Sequence, residues 1–236
     1  MATWLERAAG PGGLPLALIY LELILALTLL TTGLHFRSLR KKRDELAAVR
    51  QYFLAFFVLL LAVPCFLVFL TSSGPWAALA SFGWTFGRNS LGFALAGAGL
   101  PLAVLAGFIG SRDPEMTKMY PFAKAACGSV RTFVGYELSY LFLYYLPWEF
   151  VFRGVLFLPL VPAVGLIPAL AVQTVISTLL HIGHPDTEVF AAAGAGLVFG
   201  VIAYATGSFF TTFVLHAATG IATDTFLFLR RGQRNP

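Results

Sequence analysis

The sequence predicts an all-α fold, a polytopic transmembrane helix bundle of about seven spans. Three observations predict it. Hydrophobic residues make up 58% of the 236 and charged residues only 11%, under half the charged share of a soluble domain. Long apolar runs recur from Leu14 to Leu229, so the chain reads as one membrane bundle and not as a soluble domain with an anchor. Those runs are continuous, as in Phe53–Leu70, whereas a transmembrane barrel alternates in segments of about ten residues. A helix satisfies every backbone N–H and C=O within its own segment, as lipid requires.

The first run, 14–35, follows Glu6 and a single Arg7 without a small-residue cleavage signature, and it reads as a retained span. Runs at 51–71, 91–110, 131–152, 161–181, 188–205 and 208–229 supply six more. The stretch 74–90 is short and contains Trp76 and Trp84, so it reads as an interfacial helix or loop. Lysine and arginine set the sides. With the N-terminus outside, the interior receives Arg37, Arg40, Lys41, Lys42, Arg43 and Arg50, then Arg112, Lys118, Lys124 and Arg131, then Arg230, Arg231 and Arg234. The exterior receives Arg7 and Arg88, with Arg153 left in the membrane region. An eighth span over 74–90 would break this parity.

The formal charge of +5 does not point to nucleic acid, because no polar domain exists on which one could dock. The cluster Arg37–Arg50 instead sits where positive-inside topology places it, and such a cluster also attracts anionic lipid. Cys65 and Cys127 lie in or beside apolar runs with no metal or disulfide spacing. Gly196 and Gly200 have the four-residue spacing that lets helices pack closely.

Within apolar sequence lie Glu22, Glu137, Glu149, Arg153, His181, His216 and Asp224. Burying such groups is costly, so each is a candidate for function. Glu149 and Arg153 are four apart and can pair across a turn; a purely structural salt bridge is the plain alternative. Glu137 precedes Glu149 by a little over three turns, and Asp224 follows His216 by roughly two, where it could orient that histidine or bind water. A carboxylate and two histidines in a membrane cavity suit water activation. No cofactor is expected. A zinc ion would take Glu149, His181 and His216 from three helices, but the HExxH spacing is absent. His184 precedes Pro185-Asp186 and reads as a loop residue.

Three segments of residues 110–229 resemble the CAAX-protease and bacteriocin-processing family of intramembrane proteases. Pro147-Trp148-Glu149-Phe150-Val151-Phe152-Arg153-Gly154 is similar to its Glu-Glu-x-x-x-Arg-Gly motif. Gln173 through His181, followed by His184, Pro185, Glu188, Gly196 and Gly200, resembles its Phe-x-x-x-His motif and the glycine-rich helix after it. Ser208 to His216 resembles the approach to its His-x-x-x-Asn motif. The resemblance implies two parts: N-terminal transmembrane helices over 1–110 with the basic cytoplasmic loop 36–50, and a catalytic bundle over 111–236. It also implies cleavage of a membrane-anchored protein or peptide near its C-terminus, by water activated by a glutamate and a histidine. Glu149, Arg153, His181 and His216 would be the catalytic set, with Glu137, Trp148, His184, Glu188, Gly220 and Asp224 in support. The resemblance further suggests a bacterial inner membrane.

Three positions depart from the family pattern. The first glutamate is Trp148, the phenylalanine is Ser177 and the asparagine is Gly220. Glu149 then takes over as base, with Glu137 or Asp224 available to compensate, or the fold persists without hydrolysis as a binding or immunity factor. A small proton-coupled transporter is a further alternative, although the chain shows no internal repeat. Simple crossings would place His181 at the cytoplasmic end of its span and Glu149 near the outer end of its own, yet hydrolysis requires them to meet. Tilted helices, a break at Pro147 or a turn around Pro159 and Pro162 would reconcile them.

Overall fold

The computed structural model describes residues 13–87 and 89–234. Glu6, Arg7 and Arg88, which carry the exterior side of the charge argument, lie outside the described residues. Among the described residues the chain is helical with no strand, apart from an isolated bridge between Ile182 and His184.

Helix α1 (Gly13–Thr31) is followed by the short α2 (Phe36–Arg40) and the long α3 (Glu45–Thr71). Asp44 caps α3, its carboxylate accepting from the Ala47 N–H at 2.9 Å. Helix α4 (Pro75–Ser81) is a two-turn element in the tryptophan-containing stretch, α5 (Asn89–Gly110) is a long apolar helix, and α6 (Pro114–Met119) lies in the loop after it. Helix α7 runs over 130–155. The short α8 (Val161–Val164), α9 (Leu166–Leu179), α10 (Asp186–Thr206) and α11 (Phe210–Arg234) complete the chain.

Two helices widen just before a proline. In α3 the π-helical Val58–Ala62 precedes Pro64, and in α7 the π-helical Leu141–Tyr145 precedes Pro147. Proline has no N–H, and its ring collides with the carbonyl four residues back. A wider turn moves that carbonyl aside and re-pairs it. Helix α7 widens again over Phe150–Val155. Its second half is the centre of the molecule: Trp148, Glu149, Phe150, Val151, Phe152, Arg153 and Val155 are all buried.

Among the described residues five helices are long and apolar enough to cross a membrane: α1, α3, α10, Ser90–Gly110 of α5 and Phe210–Arg231 of α11. The other two expected spans take different forms. Run 131–152 falls in the interrupted α7. Run 161–181 breaks at Gly165, whose φ of +89° only glycine adopts readily, leaving the 14-residue α9. That helix is about 21 Å long, against a hydrocarbon core of about 30 Å. Stretch 74–90 forms α4 and a loop, with no eighth span.

Helix α5 lies along α11, and α9 lies on α10. The second contact is as close as the glycine spacing suggests. A Cβ on Gly200 would come within 2.3 Å of Leu170 Cδ1, and one on Gly196 within 2.8 Å of Thr174 Cγ2. The Gln173 amide crosses the same seam and donates to the Gly196 carbonyl at 2.8 Å. The outer faces carry exposed apolar residues, among them Ile24, Phe93, Phe190 and Val201, as lipid contact requires.

Candidate active site

Helices α5, α7, α10 and α11 and the loops before α7 and α10 enclose a cavity of about 420 Å³. Trp148, His181, Glu188, His216 and Gly220 line it together with Tyr120, Tyr140, Tyr144 and Tyr145. The two histidines of the motifs thus face one chamber. The expected separation of His181 from Glu149 does not occur, because α9 stops about six residues short of a crossing. The His181 ring then lies 5.2 Å from that of Trp148, edge to face.

Glu149 stands behind this chamber. Its carboxylate is fully buried, and Oε1 accepts a hydrogen bond from His216 Nδ1 at 2.7 Å. Arg153, one turn further along α7, pairs with the same oxygen at 3.2 Å and is only 3% exposed. Its guanidinium also sits over the Phe199 ring, 5.4 Å from the centroid. Glu149 itself is not among the residues that line the cavity, and His216, which bonds to it, is.

Each histidine has one nitrogen committed. His181 Nδ1 donates to the Ser177 carbonyl at 2.8 Å, and His216 Nδ1 donates to Glu149. In the neutral ring this leaves the lone pair on Nε2 of each. Trp148 fills the place of the missing first glutamate and belongs to an aromatic pile with Phe152 at 4.6 Å and Tyr144 at 5.8 Å.

At the loop end of the cavity, Tyr120 donates to Glu188 Oε1 at 2.6 Å, and His184 Nδ1 lies 3.0 Å from both the same oxygen and the Tyr120 hydroxyl. His184 is in a loop, as its Pro185 neighbour suggests, and it is a member of this cluster. Just outside, Asp113 accepts from the Thr187 hydroxyl at 2.7 Å and from the Glu115 N–H at 2.8 Å. These donors hold its carboxyl below the usual carboxylate range.

Glu137 and Asp224 are buried against each other and line no part of the cavity. Asp224, a candidate to orient His216 or bind water, packs against Glu137. Eight residues of helix carry it about 12 Å along α11, and Glu137 on α7 is its neighbour there. Glu22 also stands apart from the cavity. Sequence reasoning missed Tyr120 and Tyr145. The spacing of Tyr136, Tyr140 and Tyr144 marks one helical face of α7, and Tyr145 lies one residue off it. Gly220 lies on the cavity wall, where a Cβ would fall 1.6 Å from the Tyr145 hydroxyl oxygen.

Among the described residues no three His, Cys, Asp or Glu side chains are grouped to hold a metal; Arg153 and His216 share Glu149 Oε1.

No curated protein and no solved structure matches the chain. A family model does: type II CAAX prenyl endopeptidase, Rce1-like, over residues 132–222. That stretch runs from the first turn of α7 into α11 and contains Glu149, Arg153, His181, Glu188 and His216. Through the segment that builds its cavity, residues 132–222, the chain is similar to the type II CAAX prenyl endopeptidase, Rce1-like, family.

Proposed function

We propose that the protein hydrolyses a peptide bond near the C-terminus of a lipidated, membrane-anchored protein, with His216 as the base that activates water. The observation that carries this reading is the line Arg153–Glu149–His216. A buried carboxylate accepts the Nδ1 proton of a histidine whose other nitrogen belongs to a cavity wall. Such a carboxylate fixes the tautomer and stabilises the imidazolium formed when Nε2 takes a proton. His181, with Nδ1 tied to the Ser177 carbonyl, accepts a hydrogen bond from the same water and orients it.

The chamber's surroundings favour a substrate reached from the basic side. Thr187 and the neighbouring His184 also line an outer cavity of about 600 Å³ with Arg37, Asp113 and Lys118. Arg37, from the lysine- and arginine-rich loop, donates to the Gly183 carbonyl at 2.7 Å. By the positive-inside rule this is the cytoplasmic face, where lipidated C-termini lie. The aromatic wall suits an extended apolar segment.

The test is cleavage of a farnesylated, membrane-bound reporter in native membranes by the wild type and by Glu149→Gln, His181→Ala and His216→Ala, each with and without a chelator. We expect all three variants to lose cleavage at normal abundance and the chelator to change nothing. Wild-type activity in His216→Ala would sink the assignment.

One observation favours a second reading. Trp148 packs on His181 where the family has its first glutamate, which suits a protein that captures such substrates without cutting them. That reading predicts that the wild type retains the reporter intact and that Glu149→Gln retains it equally.

A further inference from the structure

The geometry points to Tyr145 as the donor that stabilises the oxyanion in this site, its hydroxyl admitted by Gly220 to a position beside His216. The proposal rests on the hydrolytic reading above.

Hydrolysis needs three things around a carbonyl: a base, a held water, and a donor aimed where negative charge develops. The two histidines supply the first two, and in the tautomers their partners impose, both present lone pairs to the chamber. Neither then offers a proton to a carbonyl oxygen, so the donor must come from elsewhere on the wall.

Most hydroxyls on that wall are committed. Tyr120 donates to Glu188 at 2.6 Å and Thr187 to Asp113 at 2.7 Å. Thr219 donates to the Leu215 carbonyl at 3.0 Å and Thr223 to that of Thr219 at 2.9 Å. Tyr144 is hydrogen-bonded to Tyr52. Tyr140 and Tyr145 share a hydrogen bond, their rings 4.4 Å apart. With Tyr140 donating, the Tyr145 proton is left for the chamber, and a hydroxyl that already accepts is a stronger donor.

Position agrees with this assignment. The Tyr145 ring lies 4.9 Å from the His216 ring, inclined at 62°. Its hydroxyl rests over α11 one turn beyond His216, where a Cβ on residue 220 would come within 1.6 Å of the oxygen and 2.6 Å of Cζ. Any residue but glycine at 220 would expel the hydroxyl from this place. The base and the donor thus sit about one helical turn apart along α11.

The steps follow. Water oxygen bonds to the carbonyl carbon while His216 Nε2 takes one of its protons, and the carbonyl π pair moves onto oxygen. Tyr145 donates a hydrogen bond to that oxyanion and keeps its proton. The oxyanion pair then re-forms C=O, the C–N bond breaks, and His216 returns its proton to the departing amine, giving an acid and an amine.

The experiment uses the full chain in lipid nanodiscs. For wild type, Tyr145→Phe and Gly220→Ala it measures kcat and KM on the farnesylated reporter. It also measures binding of a peptide phosphonate, a charged tetrahedral mimic, against the uncut parent peptide. Tyr145→Phe is expected to lower kcat by about 10²–10³ with KM within about twofold. It should abolish the preference for phosphonate over parent peptide, and Gly220→Ala should do the same with the hydroxyl still present. Unchanged kcat or an unchanged phosphonate preference in Tyr145→Phe overturns the proposal, as does a wild type with no such preference. A wild type that binds phosphonate through Tyr145 yet cuts nothing would refute the hydrolytic reading and leave the anion-stabilising site standing.

Discussion

The Glu149–Arg153 pair can be weighed by a double-mutant cycle of Glu149→Gln, Arg153→Met and the two together. Glu149 is fully buried and Arg153 is 3% exposed, with nitrogen and oxygen 3.2 Å apart. At an effective dielectric of about 20, Coulomb attraction at that distance is about 5 kcal/mol. Removing one partner strands the other charge, for which the usual cost is about 3–5 kcal/mol. Either single variant should therefore lose roughly 6–20 °C of melting temperature, at about 2–4 °C per kcal/mol for a chain of this size. The double variant strands nothing and should fall far short of the sum of the two losses, with a coupling of about 3 kcal/mol. The assay is thermal unfolding in a fixed detergent, followed by helix signal. Losses that simply add would show that the two charges do not depend on each other, and the site would need another anchor for Glu149.

Trp148→Ala removes the centre of an aromatic pile and should cost about 3–5 kcal/mol, read as a lower melting temperature in the same detergent. Gly200→Val drives a side chain into Leu170 and Gln173 and should cost about 1–3 kcal/mol, with Gly194→Val, which meets nothing within 4 Å, as the mild control. Lys124 donates from Nζ to the carbonyls of Thr117 and Tyr120, and burial pushes its ammonium down to about 8. The unfolded chain holds that proton to about 10.4, so folding is disfavoured by the charge, and stability attributable to Lys124 rises between about pH 8 and 10.4. Melting temperature against pH in wild type and Lys124→Met tests this: the variant should lose that rise.

The helical class was legible because 58% apolar composition in continuous runs admits few other solutions. The identities of His181, His216, Glu149 and Arg153 as one neighbourhood were legible from the motifs. Their arrangement was not. Hydropathy cannot see that Gly165 breaks the run 161–181 or that α7 widens twice, and those two facts decide what stands level with Trp148. Asp224 illustrates the same limit. Spacing places it near the face of His216, but reach along the axis, about 12 Å, rules out contact. Tyr145 was invisible for a further reason: a phenol in a tyrosine-rich helix looks like packing until the glycine opposite is seen to leave room for it.

The widened turns of α7 also set a phase. Every residue of an α-helix advances the face by 100°, so an interrupted helix carries its later side chains at an angle fixed by the number of residues spent in the wide turns. Leu141–Tyr145 sits upstream of Trp148, Glu149 and Arg153. Removing one residue there and closing the helix to ordinary winding would leave all three on nearly the same face, because the wide turn spends one extra residue on about the same rotation, but it would bring the carbonyl four residues before Pro147 back against the proline ring. An insertion in 141–145, or a second deletion, would instead turn the carboxylate from His216 by about 100°, so the length of this short segment is itself a part of the site.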